Sequence, residues 1–190
     1  MKPPVVVAIT GASGVVYGVE LLKVLGELGL PRLVIMSRAA ELNLTIETDY
    51  TPRQVRALAD AAYGEDDLAA PPASGSFPCR GMIVAPCSIK TLSAIANSYD
   101  ANLVVRAADV MLKERRPLVL MVRETPLHRG QLELMARAAS LGADILPPVP
   151  AFYHRPRTIQ DLIHHSLGKA LDLLGIQHHL FTRWQGASGG

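Results

Sequence analysis

The chain opens on an unbroken apolar run, Val5–Ile9, that ends in Thr10-Gly11-Ala12-Ser13-Gly14. A short, β-branched run with no polar alternation is what a strand covered on both faces requires. The spacing then turns helical through Val15, Val19, Leu22, Val24 and Leu25, and stops at Gly29. Pro31 introduces a second strand over 33–36, which closes on Ser37. Strand, glycine-rich turn, helix and strand make a βαβ unit.

The alternation continues. Thr51-Pro52 reads as an N-cap and first helical residue, predicting a helix through Val55, Leu58 and Ala62. Residues 64–80 carry Pro71-Pro72, Ser74-Gly75-Ser76 and Pro78, and read as a loop. A buried strand over 82–85 leads into a short helix over 88–96, and a longer helix covers 102–114. Pro117 separates that helix from strand Leu118–Val122, and Gly142 stops a further helix over 132–141. Thr158 caps the last one, whose apolar stripe is Ile159, Leu162, Ile163, Leu167, Ala170, Leu171 and Leu174. No repeat and no linker interrupts the series. It predicts one doubly wound α/β domain over 1–185 with a mostly parallel sheet, and a frayed tail over 186–190.

Composition adds limits. Hydrophobic residues make up 49% of the 190 and charged residues 19%, so a packed core is expected. With aromatics at 5%, that core must come from Ala, Val, Leu and Ile. A net charge of +2 gives no ground for nonspecific nucleic-acid binding. Two cysteines, Cys79 and Cys87, supply neither a disulfide framework nor a CxxC zinc site, and suit a reducing compartment. The first apolar run is too short for a secretory signal, and no stretch reaches the roughly 18 residues of a membrane span. A soluble, cytoplasmic protein is expected, without membrane or nucleic-acid partners.

In a doubly wound fold, ligands sit beyond the carboxyl ends of the strands. Those ends are Thr10 to Ser13, Ser37, Pro86 to Thr91, and Arg123-Glu124. Gly11, Ala12 and Ser13 let backbone N–H groups approach an anion at a helix N-terminus, although the Lys-Ser/Thr ending of a P-loop is missing. Ser88, Ile89, Lys90 and Thr91 form a second polar helix start. Arg123 suits bidentate phosphate binding, and Glu124 beside it is a candidate proton carrier. Lys113 reads either as a ligand or as charge complementing a helix C-terminus. The loop Phe152-Tyr153-His154-Arg155-Pro156 offers further phosphate contacts. Cys87 has no histidine near it in sequence and reads as packing. The pairs His164-His165 and His178-His179 lack metal-ligand spacing, so no metal is expected. A short-chain dehydrogenase is excluded, because none of the five tyrosines has a lysine four residues on.

Four motifs occur in order: Gly-Ala-Ser-Gly after the first strand, Ala-Pro-Cys-Ser-x-Lys-Thr-Leu, Arg-Ala-Ala-Asp-Val-x-Leu-Lys-Glu-Arg-Arg, and Arg-Glu-Thr-Pro-Leu. Together they resemble the UbiX family of flavin prenyltransferases, from Val5 to Trp184. One departure is Asp100-Ala101-Asn102-Leu103, where the family commonly has Asp-Asn-Leu. The resemblance implies a Rossmann-like or flavodoxin-like FMN-binding subunit, usually assembled as a dodecamer. Its implied reaction joins a dimethylallyl group from dimethylallyl phosphate to N5 and C6 of reduced FMN, and the product serves a UbiD-type decarboxylase. It places Gly11, Ala12, Ser13, Ser37, Ser88, Ile89, Lys90, Thr91 and Arg123 on FMN, with Ser13 also near the chemistry. Lys113, Arg123, Tyr153 and Lys169 are implied to hold the prenyl phosphate, Glu47 and Glu124 to handle protons, and Trp184 to close the site.

Cations on a departing phosphate lower the barrier to breaking its C–O bond. With Lys, Arg and Tyr bearing that charge, a monophosphate needs no metal, which fits the lack of an Asp-rich motif. Two alternatives are weighed. FMN-dependent cysteinyl decarboxylases use an early histidine and a late cysteine-containing segment, whereas the first histidine here is His128 and no cysteine follows Cys87. An FMN-binding subunit without turnover would have no reason to keep Lys113, Arg123, Glu124, Tyr153 and Lys169.

Overall fold

The computed structural model describes residues 2–184 and 186. Most of the expected tail, residues 187–190, lies outside the described residues together with Gln185. Six parallel strands form one sheet: β1 (Val5–Ile9), β2 (Arg32–Met36), β3 (Ala61–Gly64), β4 (Gly81–Cys87), β5 (Leu118–Val122) and β6 (Asp144–Ile145). Their spatial order is β3-β2-β1-β4-β5-β6. This is the doubly wound order, in which the direction of strand addition reverses between β1 and β4 and leaves a crevice there.

The side chains of β1 show how the sheet is covered. Val5, Val7 and Ile9 face one hydrophobic cluster. Helices α1 (Val15–Glu27) and α7 (Ile159–Leu173) fill it, with Ala40 and Leu44 of α2 (Arg38–Glu47) and Val55 of α3 (Pro52–Arg56). Val6 and Ala8 face the other cluster, built from α4 (Ile89–Ala96), α5 (Leu103–Lys113) and α6 (Arg129–Ser140). All five β1 side chains are fully buried. At about 25 cal/mol per Å² of apolar surface removed from water, such two-sided burial dominates the folding energetics. Gly18 allows α1 to lie close on the sheet, since a Cβ there would sit 2.5 Å from the Ala85 carbonyl oxygen.

Several elements differ from the sequence reading, which also lacked the short edge strand β6. The expected helix through Ala62 is corrected: α3 ends at Arg56, and Ala61–Gly64 is the edge strand β3. Asp60 redirects the chain by accepting from the Arg32 backbone N–H (2.8 Å) and donating its own N–H to the Arg32 carbonyl (2.9 Å). Pairing with β2 thus overrides the helical propensity of the alanines. Helix α2 was not anticipated. Only Ala40 and Leu44 of it are buried, so the apolar signal is thin, while Ser37 caps it by accepting from the Ala40 N–H at 3.1 Å. Helix α6 starts at Arg129 rather than near 132, because His128 caps it through Nδ1, which accepts from the Gly130 N–H. On α7, Ile159 is 78% exposed, so the buried stripe begins at Ile163.

Candidate functional site

The crevice between β1 and β4 holds a cavity of about 400 Å³. Strand ends and helix starts build it. The turn Thr10 to Ser13 comes from β1, Ser37 and Ala39 from the start of α2, Ser88 to Thr91 from the start of α4, and Arg123-Glu124 from the end of β5. Every strand-end position singled out above except Pro86 and Cys87 lines this one cavity.

Thr10 holds two of these segments together. Its buried hydroxyl donates to the Pro86 carbonyl (2.7 Å) and accepts from the Ser88 N–H (2.8 Å). The β1 turn is therefore pinned to the α4 start by one fully used side chain. Ser88 caps α4, accepting from the Thr91 N–H at 3.3 Å, and donates its hydroxyl proton to Thr91 Oγ1 at 3.0 Å. The first-turn N–H groups of α4 carry the positive end of that helix into the cavity. Lys90 and Arg123 add formal charge. Gly11 is a close-approach position: a Cβ there would collide with Cβ of Ala39. Buried Cys87 sits behind the cavity with its thiol pushed up to about 12 by loss of hydration, so it stays protonated and acts as packing.

Glu47 lies just outside the cavity at the end of α2. Its Oε2 accepts from the N–H groups of Gly14 (2.7 Å) and Val15 (3.2 Å), which caps α1 where Gly14 itself supplies no side chain. Glu65 and Asn102 line the cavity and were missed as site residues. Glu65 accepts from the Arg38 N–H (3.0 Å) and from Asn102 Nδ2 (3.0 Å), joining the start of α2 to the cap of α5. Asn102 stands in the Asp-Asn-Leu motif noted above, whereas the only signal for Glu65 is position: it follows β3, whose first residues read as helix.

Lys113, Tyr153, Lys169 and Trp184 do not line the cavity. Lys113 ends α5, about 16 Å along the helix from Asn102 at 1.5 Å per residue. Its Nζ pairs with Glu114 at 2.6 Å and holds that carboxyl below its ordinary value. Lys169 is exposed on α7, 3.9 Å from Asp172. The Tyr153 hydroxyl lies 2.8 Å from His165 Nε2, and its ring meets Trp184 edge-on at 6.1 Å. Arg183 clamps the segment before Trp184 through two hydrogen bonds to Asp172 (3.0 and 2.6 Å), and these hold the Asp172 carboxyl below its usual range. The other paired histidines make ordinary contacts: His164 with Gln160, and His178 with Asp172. Among the described residues no group of His, Cys, Asp and Glu could hold a metal ion, and no helix is long and apolar enough to cross a membrane.

Comparison with known proteins places this architecture. A family model described as Flavoprotein matches residues 1–168. The flavin prenyltransferase UbiX of Escherichia coli K12 is 54% identical over 185 residues, covering 96% of this chain and 98% of the relative. The chain belongs to the UbiX flavin prenyltransferases, within the flavoprotein family. Among solved structures, AnUbiX in complex with FMN and dimethylallyl pyrophosphate superposes with a TM-score of 0.96 at 48% identity, over 98% of this chain and 99% of that one. A dodecameric FMN-dependent UbiX-like decarboxylase from Escherichia coli O157:H7 superposes with a TM-score of 0.93 at 45% identity, over 96% of this chain and all of that one.

The residues present suit FMN. A cavity of this size falls in the range of small-molecule sites. Gly11 gives the close approach that a planar ring or a phosphate needs, and N–H groups, hydroxyls and two cations answer a phosphate and a polyol.

Proposed function

We propose that the protein transfers a dimethylallyl group from dimethylallyl phosphate to N5 and C6 of reduced FMN, and that the prenylated flavin serves a UbiD-type decarboxylase. The observation that carries the reading is the single cavity at the β1–β4 reversal. There Gly11, Ala12, Ser13, Ser37, Ser88 to Thr91, Arg123 and Glu124 stand together, matching the family's motifs. When bound, reduced FMN supplies the nucleophilic nitrogen and the ring carbon.

The chain's own residues then do the rest. The Gly11–Ser13 turn and the α4 start hold the cofactor, while Arg123 and Lys90 bear negative charge. Glu124 keeps one oxygen on the Thr125 N–H (Oε1, 3.0 Å), which leaves Oε2 to carry a proton to the departing phosphate or from the closing ring. Glu47 fixes the α1 start beneath the turn, and any proton it handles must use its second oxygen.

Lys113, Tyr153, Lys169 and Trp184 enter through assembly. With Lys113 about a helix length from the cavity-lining Asn102, its ammonium serves a phosphate best in a neighbouring copy's site. The dodecameric relative supports that reading. So do Leu42 (62% exposed) and Ile46 (71% exposed) on α2, apolar positions that a second copy would cover.

The test is anaerobic incubation of the purified chain with reduced FMN and either dimethylallyl phosphate or its diphosphate, followed by mass measurement of the extracted flavin. A flavin heavier by one C5 unit is expected with the monophosphate. Unchanged flavin with both donors removes the reading.

A further inference from the structure

Tyr153 and His165 form a hydrogen bond that no part of the flavin cavity uses. The imidazole of His165 sits on α7 and is only 7% exposed. Its ring is stacked on His154 at 4.8 Å with planes 7° apart, and it meets Tyr153 edge-on at 5.5 Å. Its Nε2 lies 2.8 Å from the Tyr153 hydroxyl. Both ring nitrogens of His154 are buried without a hydrogen-bond partner among the described residues. Lys169 follows His165 by four residues and shares its helix face. Burial, then the charges of His154 and Lys169, hold His165 below its ordinary pKa.

A neutral imidazole has one N–H, and a phenol has one proton to donate. If Nε2 accepts the Tyr153 proton, the hydroxyl has nothing to give a phosphate. If Nε2 carries the hydrogen, it donates to the phenol oxygen, and the phenol proton is free to point at a phosphate oxygen. The stack on His154 fixes the ring plane in either tautomer.

We propose that His165 is a positioning residue for the donor phosphate: its Nε2–H donates to the Tyr153 oxygen and aims the tyrosine hydroxyl at the phosphate. The proposal rests on the reading of Tyr153 and Lys169 as phosphate ligands. It explains why a polar ring occupies a buried α7 position one turn before Lys169.

Donor saturation with dimethylallyl phosphate, on the FMN-loaded full chain, tests it. His165→Phe keeps an aromatic ring against His154 and removes the N–H. Donor KM is expected to rise about tenfold, with flavin content unchanged and kcat within about twofold. His165→Gln, whose amide reaches the Nε2 position, is expected to bring KM back to within about threefold of the parent. His165→Asn is polar but too short to reach the hydroxyl; it should match the Phe variant, and it decides the matter if the Phe variant does not fold. An unchanged KM in the Phe or Asn variant overturns the proposal, and so does a Gln variant as impaired as Phe. Tyr153→Phe alone tests the underlying reading. An unchanged KM there takes Tyr153 off the phosphate, whereas a raised KM in Tyr153→Phe with none in His165→Phe removes His165 alone.

Discussion

The crevice at the β1–β4 reversal and the outer face of α7 use polar residues in opposite ways. In the crevice, segments far apart in sequence are locked together in two sets. Thr10 bridges to Pro86 and Ser88, and Glu65 bridges α2 to the cap of α5. Such a site is organised before any ligand arrives, and its donors need little reordering. On α7, Lys169 is exposed beside Asp172, and Tyr153 rests on His165 while Lys113 is spent on Glu114. These groups carry the right chemistry without sharing a cavity. One chain thus gathers the residues proposed for the flavin into one crevice, and under the proposed function the phosphate end is finished by assembly.

The sharpest way to break this contrast is Glu124→Gln. The amide keeps the shape and the contact with the Thr125 N–H but cannot exchange a proton. Flavin retention and donor binding should persist while transfer at saturation falls on the order of 10²–10⁴-fold, the scale of general acid–base catalysis. Single-turnover flavin spectra measure it. If transfer stays near the parent rate and binding weakens, Glu124 serves only to hold its arginine neighbour in place.

Next in size is Gly11→Val. The new Cβ meets Cβ of Ala39, an atom fixed to the backbone of α2, so the first turn of that helix must move away from the β1 turn. Overpacking of this kind costs about 1–3 kcal/mol. The variant should fold with a lowered Tm and copurify with little FMN. Normal flavin content would mean that the turn only reverses the chain.

Lys169→Ala probes the other region. As a half-exposed partner of Asp172 it contributes within about 0.5 kcal/mol to stability, so Tm should hardly move. Donor KM should rise about tenfold with FMN affinity unchanged. An unaltered KM would leave Lys169 a surface lysine whose stem covers the apolar side of α7.

The same contrast decides what could be read in the sequence. Around the crevice each site residue adjoins a strand or helix boundary, and boundaries carry strong signals: unbroken β-branched runs, Gly11 and Gly14, Thr51-Pro52, Pro117. Helix α2 escaped because its buried side is two residues wide. Strand β3 escaped because its alanines favour helix and only pairing with β2 makes them a strand. Glu65, which follows β3, was lost with it. At α7, the residue types came through resemblance, whereas their separation from the cavity is tertiary and left no mark on spacing. The contact of His165 with Tyr153 spans twelve residues and an irregular loop, which no periodicity encodes.

The smallest expected effect uses that contact. In the unfolded chain His165 titrates at its ordinary value of 6.5; in the fold its pKa is lower, by burial first and then by His154 and Lys169. Between the two values the unfolded chain binds more protons, so stability rises with pH across that window. The stabilisation is complete above 6.5, is lost progressively as pH falls toward the folded value, and then levels off. The Asp172 carboxyl, held low by Arg183, acts in a separate window that begins only below its ordinary 3.8. His165→Gln cannot titrate, while Tyr153, His154 and Lys169 remain around it. Melting curves between about pH 8 and pH 5 should therefore show the parent losing more stability on acidification than the variant, the two converging in slope at the acid end. Parallel curves across the whole range would mean that His165 is as well solvated in the fold as in the unfolded chain, and the desolvated tyrosine–histidine contact would lose its physical basis.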